Sequence, residues 1–119
     1  MEPQKENPIL NLSFKFSLEI IKYTEGLEQL RKYNISNQLF RSATSIGANI
    51  RESQHAESRA DFIHKLKIAS KEAEETTYWL ELCHNSENYP ECTNLLKQVE
   101  SISKILSKII STSKSKLQN

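Results

Sequence analysis

Apolar residues return along most of this chain at alternating steps of three and four, which is the spacing of an amphipathic α-helix. The longest such stripe keeps its spacing over three heptads. Its members are Phe62, Leu66, Ala69, Ala73, Thr76, Leu80 and Cys83. A shorter stripe before it consists of Leu39, Ala43, Ile46 and Ile50. The spacing predicts four helices, over about residues 12–32, 36–55, 59–84 and 91–112, with loose ends at 1–10 and 113–119.

The first and fourth predicted helices carry more apolar surface than one core-facing stripe needs. One stripe of the first helix consists of Phe16, Ile20, Tyr23, Leu27 and Leu30. A second stripe, of Phe14, Leu18 and Ile21, lies on nearly the opposite side at about 100° per residue. The fourth helix is apolar over about half of its circumference, which is more than a surface helix needs. The excess predicts self-association. The alternatives are that the N-terminal arm covers the extra stripe or that the fourth helix is deeply buried.

Helix-capping residues mark the boundaries between these segments. Ser36 has the position of an N-cap for the second helix. Ser58 and Asp61 have the spacing of a capping box for the third helix. Pro90 follows the one long turn and is predicted to open the fourth helix. Links this short favour an antiparallel up-down-up-down four-helix bundle.

Composition supports an all-α fold in a single domain. The chain has 119 residues, which is enough for one modest core. Two glycines and three prolines are too few for a β fold or a phosphate-binding loop. With 16 basic and 15 acidic residues the net charge is +1, so no overall basic field points to nucleic acid. We therefore predict one all-α domain over residues 1–119.

The sequence shows no signal for export, membrane insertion or disulfide bonding. No basic-then-apolar leader begins the chain, and no apolar run approaches the roughly 18 residues of a membrane span. The two cysteines, Cys83 and Cys92, do not make a disulfide framework in a chain of this length. These features predict a protein of the reducing cytoplasm with no membrane partner.

No combination of residues has the spacing of a catalytic, cofactor-binding or metal-binding site, and the three histidines are scattered. Cys83, His84 and Cys92 make a poor zinc site, because Cys83 belongs to the core stripe. Glu72 and Glu75 share a helix face, but neither is followed three residues on by the histidine of ferritin-like sites. We therefore predict that the protein is not an enzyme, needs no cofactor or metal and takes no small-molecule substrate.

Polar side chains form a second pattern on the two central helices. The residues are Arg41, Ser45, Asn49 and Glu52 on helix two, and Lys65, Glu72, Glu75 and Trp79 on helix three. If these faces meet, Arg41 is predicted to bond to Glu72 or Glu75. Asn49 is predicted to hydrogen-bond across to the other helix. Such a network, between helices or between subunits, sets register and geometry more than stability. The alternative is a solvated charged face.

The fourth helix and the tail form the most basic part of the chain. Lys97, Lys104 and Lys108 recur along the polar side of the helix, where they can follow nucleic-acid phosphates. No aromatic residues for base stacking lie between them. We predict RNA or DNA binding at these lysines. The alternative is a solvated face, with lysines near the C-terminus that complement the helix dipole.

Three motifs in the central region match one family in order. They are R-S-x-x-S-I-x-x-N-I-x-E at residues 41–52, D-F-x-x-K-L at 61–66 and E-x-x-E-x-x-x-W-L at 72–80. On these motifs the chain resembles the bacterial four-helix-bundle proteins encoded in intervening sequences of 23S ribosomal RNA genes. Residues 38–82 carry the strong similarity, and the outer helices share only the pattern.

The resemblance implies a non-enzymatic bundle that assembles into a homo-oligomeric ring, with a homopentamer as the expected state. It also implies that the polar residues of the central helices serve packing and assembly. A related branch looks like the accessory variability protein of diversity-generating retroelements, a basic pentameric barrel that binds nucleic acid and a reverse transcriptase. That similarity implies an alternative function, as an accessory subunit for a reverse transcriptase and its RNA or DNA. The near-neutral charge of this sequence departs from that branch.

Overall fold

The computed structural model describes residues 7–118 as four α-helices, with no strand in that part of the chain. The helices are α1 (Pro8–Gln29), α2 (Tyr33–Ser53), α3 (Arg59–His84) and α4 (Thr93–Gln118). Each helix packs against its neighbour in sequence, and α1 also packs against α4. Within the described residues the backbones of the diagonal pairs stay more than 8 Å apart, and only side chains reach across, as Tyr23 of α1 and Cys83 of α3 do. This arrangement is a four-helix bundle.

Contacts between the ends of the helices show that neighbours run antiparallel. The Ser36 hydroxyl, near the start of α2, donates to the Thr24 carbonyl, near the end of α1, at 3.0 Å. The Tyr23 hydroxyl donates to the Pro90 carbonyl, just before α4, at 2.7 Å. Late residues of one helix therefore meet early residues of the next, which gives the up-down-up-down order that short links favour.

The core consists mainly of residues on the predicted stripes. Its fully buried large side chains include Phe16, Ile20, Leu27, Leu39, Ile46, Ile50, Leu66, Leu80, Val99, Ile102 and Leu106. Burying each such side chain contributes about 1.5–3 kcal/mol, so this cluster dominates the stability of the fold. Three predicted core positions differ, and the first is Tyr23, which is only half-buried. Leu30 is exposed because α1 ends one residue earlier, and Phe62 is only half-buried whereas its neighbour Ile63 is buried.

Helix α1 begins at Pro8, earlier than the predicted start at about residue 12. Proline suits the first turn of a helix, because its missing N–H would have no partner there. Ile9 is buried, so the end of the predicted loose arm belongs to the core. The rest of that arm, residues 1–6, lies outside the described residues. The helix ends at Gln29, and Arg31 has a φ of 63° in the short link that follows.

The prediction that Ser36 caps α2 is wrong. The helix begins at Tyr33, and Lys32 occupies the N-cap without a side-chain hydrogen bond. Ser36 lies inside the helix, buried against α1. Its small hydroxyl allows a close approach of the two helices, and a bond to the neighbouring helix replaces the expected capping bond.

Helix α3 has the predicted bounds and the predicted cap. The Asp61 backbone N–H donates to the Ser58 hydroxyl at 3.0 Å, and the Asp61 carboxylate accepts from the Glu57 N–H at 3.3 Å. The first bond satisfies a backbone donor that a helix start leaves free, and the second ties the residue before the cap to the first turn.

Helix α4 begins at Thr93 and continues to Gln118, so both predicted ends are wrong. Pro90 stays in the loop, where its carbonyl accepts from Tyr23. The tail, predicted to be loose from residue 113, is helical to residue 118, and Ser113 is buried. Serine is small enough to be covered by a neighbouring helix, so a serine-rich stretch can extend a packed helix despite its polarity.

Candidate functional site

An exposed apolar stripe runs along α1 on the side away from the core. Phe14 is 53% exposed and Leu18 is 48% exposed, and Ile21 is also exposed. Large apolar side chains at this spacing form one continuous face of a helix. The second stripe predicted from the sequence is therefore uncovered in the described chain.

Phe40 of α2 extends this stripe onto the neighbouring helix. The Ser36–Thr24 bond and the contact of Gly47 with Ser13 fix the register of α1 and α2. Phe40 lies between those two contacts and two helical turns before Gly47, so it shares the side of α2 that borders α1. It is exposed. We call Phe14, Leu18, Ile21 and Phe40 the apolar face.

A groove between α1 and α2 opens beside the apolar face. Its floor is made of small residues, among them Ser13, Ser17 and Gly47, and its volume is about 340 Å³. A Cβ added at Gly47 would lie 3.4 Å from the Ser17 hydroxyl oxygen and 3.5 Å from the Ser13 carbonyl oxygen. The two helices therefore approach each other closely at Gly47. Because the side chains of the floor are small, the groove has room for side chains from outside.

Phe14 and Arg51 form part of the rim of this groove. The Arg51 guanidinium carbon lies 5.7 Å from the centre of the Phe14 ring, which is within cation–π distance. Among the residues that line the groove, Arg51 is the only charged one. The groove is therefore apolar at its wall and positive at one edge.

The polar residues predicted on α2 and α3 are partly brought together. Arg41 forms ion pairs with Glu72, at 3.3 Å, and with Glu75. The Trp79 indole N–H donates to Glu75 at 2.9 Å. The Arg41 side chain is 51% exposed, so solvent screens these pairs and their contribution to stability is small. The cluster joins the outer sides of the two helices.

The other polar residues of the predicted network do not join it. The Ser45 hydroxyl donates to the Arg41 carbonyl at 2.6 Å. The prediction that Asn49 bonds across to α3 is wrong, because its amide donates to the Ser45 carbonyl of its own helix at 2.9 Å. Short polar side chains on a helix reach the backbone four residues back more easily than a neighbouring helix. Glu52 is exposed and Lys65 half-buried, with no ion pair to any described residue.

Sequence reasoning missed the buried contact between α2 and α3. The Thr76 hydroxyl donates to the Ser42 hydroxyl at 2.9 Å and lies 2.8 Å from the Glu72 carbonyl oxygen. Both hydroxyl side chains are fully buried. The available signal was a hydroxyl residue on each of two facing helices, but the sequence does not show which residues lie level.

A ridge on the outer side of α3 was also missed. Tyr78 is 54% exposed and Leu82 is 38% exposed, and the Tyr78 ring meets the Trp79 ring edge-on at 5.2 Å between centres. Tyr78 and Leu82 are four residues apart, so they stand one turn apart on one side of the helix. This spacing was the signal that could have found them.

The lysines predicted to bind nucleic acid are all exposed on α4. They are Lys97, Lys104 and Lys108, and the Lys104 ammonium lies 3.1 Å from the Glu100 carboxylate. A second group of lysines lies where the end of α4 meets α3. The Lys114 ammonium beside Lys67, with a smaller contribution from Lys71, lowers the pKa of Lys67. We call Lys67, Lys71 and Lys114 the lysine cluster.

Two buried cysteines and Tyr23 meet where α1, the end of α3 and the loop before α4 come together. Cys83 and Cys92 are free thiols. Burial raises the pKa of Cys83 to about 11, and burial likewise raises the pKa of Cys92 and of Tyr23.

In the described chain no three His, Cys, Asp or Glu side chains are grouped as metal ligands. None of the helices described is long and apolar enough to cross a membrane.

These features define a small all-α protein, built as one antiparallel four-helix bundle with an exposed apolar face. The chain belongs to the 23S rRNA-intervening sequence protein family, whose profile matches residues 5–108. The resemblance seen in the central motifs is thereby confirmed.

A crystal structure supports the same assignment. The chain is similar to a protein of unknown function from the S23 ribosomal protein family of Bacteroides thetaiotaomicron. The two sequences are 43% identical, and the similarity covers 86% of this chain and 97% of that one, with a TM-score of 0.82. The comparison with curated proteins found no match.

Proposed function

We propose that this protein acts without catalysis, as a scaffold that assembles with copies of itself through the apolar face. The observation that carries the proposal is the exposure of Phe14, Leu18, Ile21 and Phe40 on one side of a small bundle. Contiguous apolar surface of this kind marks an interaction site. The family resemblance favours a closed ring as the form of the assembly, with five copies as the expected number.

The size of the apolar face indicates how much further binding free energy the interface needs. Fully burying a Leu, Ile or Phe contributes about 1.5–3 kcal/mol, so covering four half-exposed side chains contributes roughly 4 kcal/mol. Association costs at least about 4 kcal/mol in lost freedom of motion. The apolar face therefore needs a complementary surface that adds contacts of its own, and a second copy supplies one at every step of a ring.

A role without catalysis is supported by the ion pairing of the one carboxylate pair that the sequence analysis considered as a site. Glu72 and Glu75 are the acidic pair that shares a helix face, and both are ion-paired with Arg41. Trp79 donates a further hydrogen bond to Glu75. Both carboxylates of this pair are engaged in the contact between helices, so neither is free to act as an acid or base.

The test of the assembly is the solution mass of the unmodified chain and of the Phe14→Glu/Leu18→Glu variant. We expect light scattering to give a multiple of 13.7 kDa for the unmodified chain and the monomer mass for the variant. The control is Thr112→Glu/Leu117→Glu, which places the same charges at exposed positions of α4 and should leave the mass unchanged. An unmodified chain that stays monomeric at micromolar concentration would contradict the proposal.

Nucleic-acid binding is a second candidate function, favoured by the lysine cluster, in which lysines of α3 and α4 lie close together. Like charges close together on a surface attract phosphates and release counterions. Several copies of this surface in one assembly would add their contributions. Because the net charge is only +1, we expect binding that is weak and strongly dependent on salt.

RNA binding measured at several salt concentrations tests the second candidate. We expect Lys67→Gln/Lys71→Gln/Lys114→Gln to weaken binding and to flatten the slope of affinity against salt by about 0.7 for each phosphate that the variant no longer neutralises. The matched variant is Lys97→Gln/Lys104→Gln/Lys108→Gln on α4, which removes the same charge. If the affinity were unchanged in both variants, the lysines would be only a solvated surface, and nucleic-acid binding at these positions would be contradicted. Co-purification with a reverse transcriptase would instead favour the accessory-subunit alternative.

A further inference from the structure

From a pocket between two helices and an unpartnered carboxylate oxygen of a residue in its lining, we infer that this protein binds a small organic ammonium ion. The pocket lies between α1 and the start of α4. The ligand that suits it is a primary amine joined to a compact apolar group, which would be bound without being converted. Binding here does not depend on the proposed self-assembly, because no residue of the apolar face lines this pocket.

The pocket has the size and the lining of a site for a small ligand. Its volume is about 440 Å³, which is within the usual range for such sites. The less exposed part of its lining includes Tyr23, Gly26, Cys92 and Leu95. Cys92 and Leu95 are buried, and Tyr23 is half-buried. These residues offer mainly apolar contact, so the pocket favours a ligand with an apolar body.

Gly26 keeps one wall of the pocket open. A Cβ added at this position would meet no atom within 4 Å. Glycine is unfavourable inside a helix, and no close approach of another helix requires it here, in contrast to Gly47. The missing side chain therefore leaves space at the pocket that a larger residue would fill.

Glu19 supplies the group that selects a cation. One oxygen of its carboxylate, Oε2, is buried and has no hydrogen-bond partner among the described residues. A carboxylate oxygen that is removed from water without a new partner destabilises the protein. The terminal torsion of a glutamate side chain is broad, so the carboxylate can turn this oxygen towards the pocket that Glu19 lines. A charged N–H donor in the pocket would replace the hydrogen bonds lost to burial.

Other polar groups of the lining already have partners within the protein. The Tyr23 hydroxyl donates to the Pro90 carbonyl at 2.7 Å. The Glu91 carboxylate accepts from the backbone N–H of Thr93. What the pocket lacks is therefore a donor for Glu19, and an ammonium group carries three such donors.

The charged residues of the lining are Glu19, Glu91 and Lys22. Glu91 is exposed, and His84 and Lys97 lie close to it and balance part of its charge. Lys22 is exposed and forms no ion pair with Glu19 or Glu91 in the described chain. Lys22 therefore does not supply the missing donor, and Glu19 is the carboxylate that a bound cation would contact.

Binding of three probes of similar shape tests the inference. At neutral pH phenethylamine is a cation, phenethyl alcohol is uncharged and phenylpropionate is an anion. We expect the amine to bind about tenfold more tightly than the alcohol, because only the amine gives Glu19 a charged donor. The anion should bind most weakly. NMR titrations of the isotope-labelled full chain measure the affinities, and shifts of the Gly26 and Leu95 amide signals locate the probe.

Two variants separate the role of the carboxylate from that of the cavity. Glu19→Gln keeps the size of the side chain, so it should abolish the preference for the amine and leave the affinity for the alcohol nearly unchanged. Gly26→Leu fills the open wall and should weaken the binding of all three probes without loss of helix content. The control is Glu25→Gln, which removes the same charge at an exposed position of α1 outside the pocket and should change no affinity.

The opposite results overturn the inference. Equal affinity for the amine and the alcohol, or an amine preference that survives Glu19→Gln, would show that Glu19 does not recognise a cation. Affinities that Gly26→Leu leaves unchanged would place the probes outside the pocket. If no probe bound at millimolar concentration, the pocket would not be a ligand site. None of these measurements depends on the solution mass of the chain, so their failure would leave the proposed self-assembly standing.

Discussion

The hydroxyl of Thr76 on α3 donates a hydrogen bond of 2.9 Å to the hydroxyl of Ser42 on α2, and both side chains are fully buried. This contact is buried more deeply than the ion pairs of Arg41 with Glu72 and Glu75, which join the same two helices. It fixes the register of α2 against α3. If one helix shifted by one residue, the two hydroxyls would stay buried but would lose the hydrogen bond between them.

Replacing Thr76 with valine removes this bond without changing the shape of the side chain. We expect Thr76→Val to lower the free energy of unfolding by about 1–2 kcal/mol, since the Ser42 hydroxyl loses its partner on α3 in the core. The added change Ser42→Ala should recover part of that loss. Thr112→Val, at an exposed position of α4, serves as the control and should change little. A Thr76→Val protein as stable as the unmodified one in urea would contradict this role.

The ion pair between Arg41 and Glu75 should contribute a small, salt-sensitive coupling. A double-mutant cycle with alanine at both positions should give about 0.5–1 kcal/mol, because the Arg41 side chain is half in solvent. The matched control is the pair Lys104 and Glu100 on α4, whose side chains are 76% and 66% exposed. Its coupling should be smaller. If 1 M salt left the Arg41–Glu75 coupling unchanged, electrostatic attraction could not be its source.

The two glycines should respond differently to the same substitution. A Cβ at Gly26 would meet nothing within 4 Å, so Gly26→Leu should be tolerated or stabilising by about 0.5 kcal/mol through helix propensity. Gly47→Leu would wedge its side chain against Ser13 and Ser17 and should cost about 1–3 kcal/mol. Thermal unfolding of both variants checks the difference. Equal stability would show that α1 and α2 do not approach closely at Gly47.

Alkaline pH should destabilise the protein partly through Cys83. The pKa of this thiol is about 11 in the folded state, against an ordinary value of 9.0. The folded state therefore holds the proton to higher pH than the unfolded state does. The resulting stability is fully present below pH 9 and is lost as pH rises towards 11, by up to about 2 kcal/mol.

The check is the fall in unfolding free energy between pH 9 and 11 in the unmodified protein and in Cys83→Ala. The variant should show the smaller fall. Cys92 also has a raised pKa and remains in both proteins as a common background. Burial keeps the pKa of Tyr23 raised in the variant too, but the smaller contribution of Cys83 to that pKa is lost with the thiol, which adds to the difference between the two proteins. An equal fall in the two proteins would contradict the buried, protonated state of Cys83.

Much of this fold can be predicted from the sequence, because the periodic stripes specify which side of each helix is buried. Leu39, Ile46 and Ile50 are examples. The Ser58 cap could be predicted because it depends only on residues close in sequence. The role of Ser36 could not, because its partner Thr24 is on another helix. The serine-rich end of α4 was likewise mistaken for a loose tail, since its packing partner is not visible in the local sequence.

The candidate surfaces likewise include features that could be predicted from the sequence and features that could not. The apolar stripe of α1 could be predicted because Phe14, Leu18 and Ile21 repeat within one helix. The groove beside it could not be predicted, because it depends on the register of two helices. The nearness of Lys67 to Lys114, which are far apart in sequence, also required the packed structure.

The concentration dependence of the solution mass tests the central claim most directly. The unmodified chain should sediment as one closed assembly whose mass is a fixed multiple of 13.7 kDa over a wide range of micromolar concentrations, with five copies as the expected number. A closed ring has no free ends, so its mass should not increase at higher concentration. A mass of 13.7 kDa throughout that range would contradict self-assembly through the apolar face.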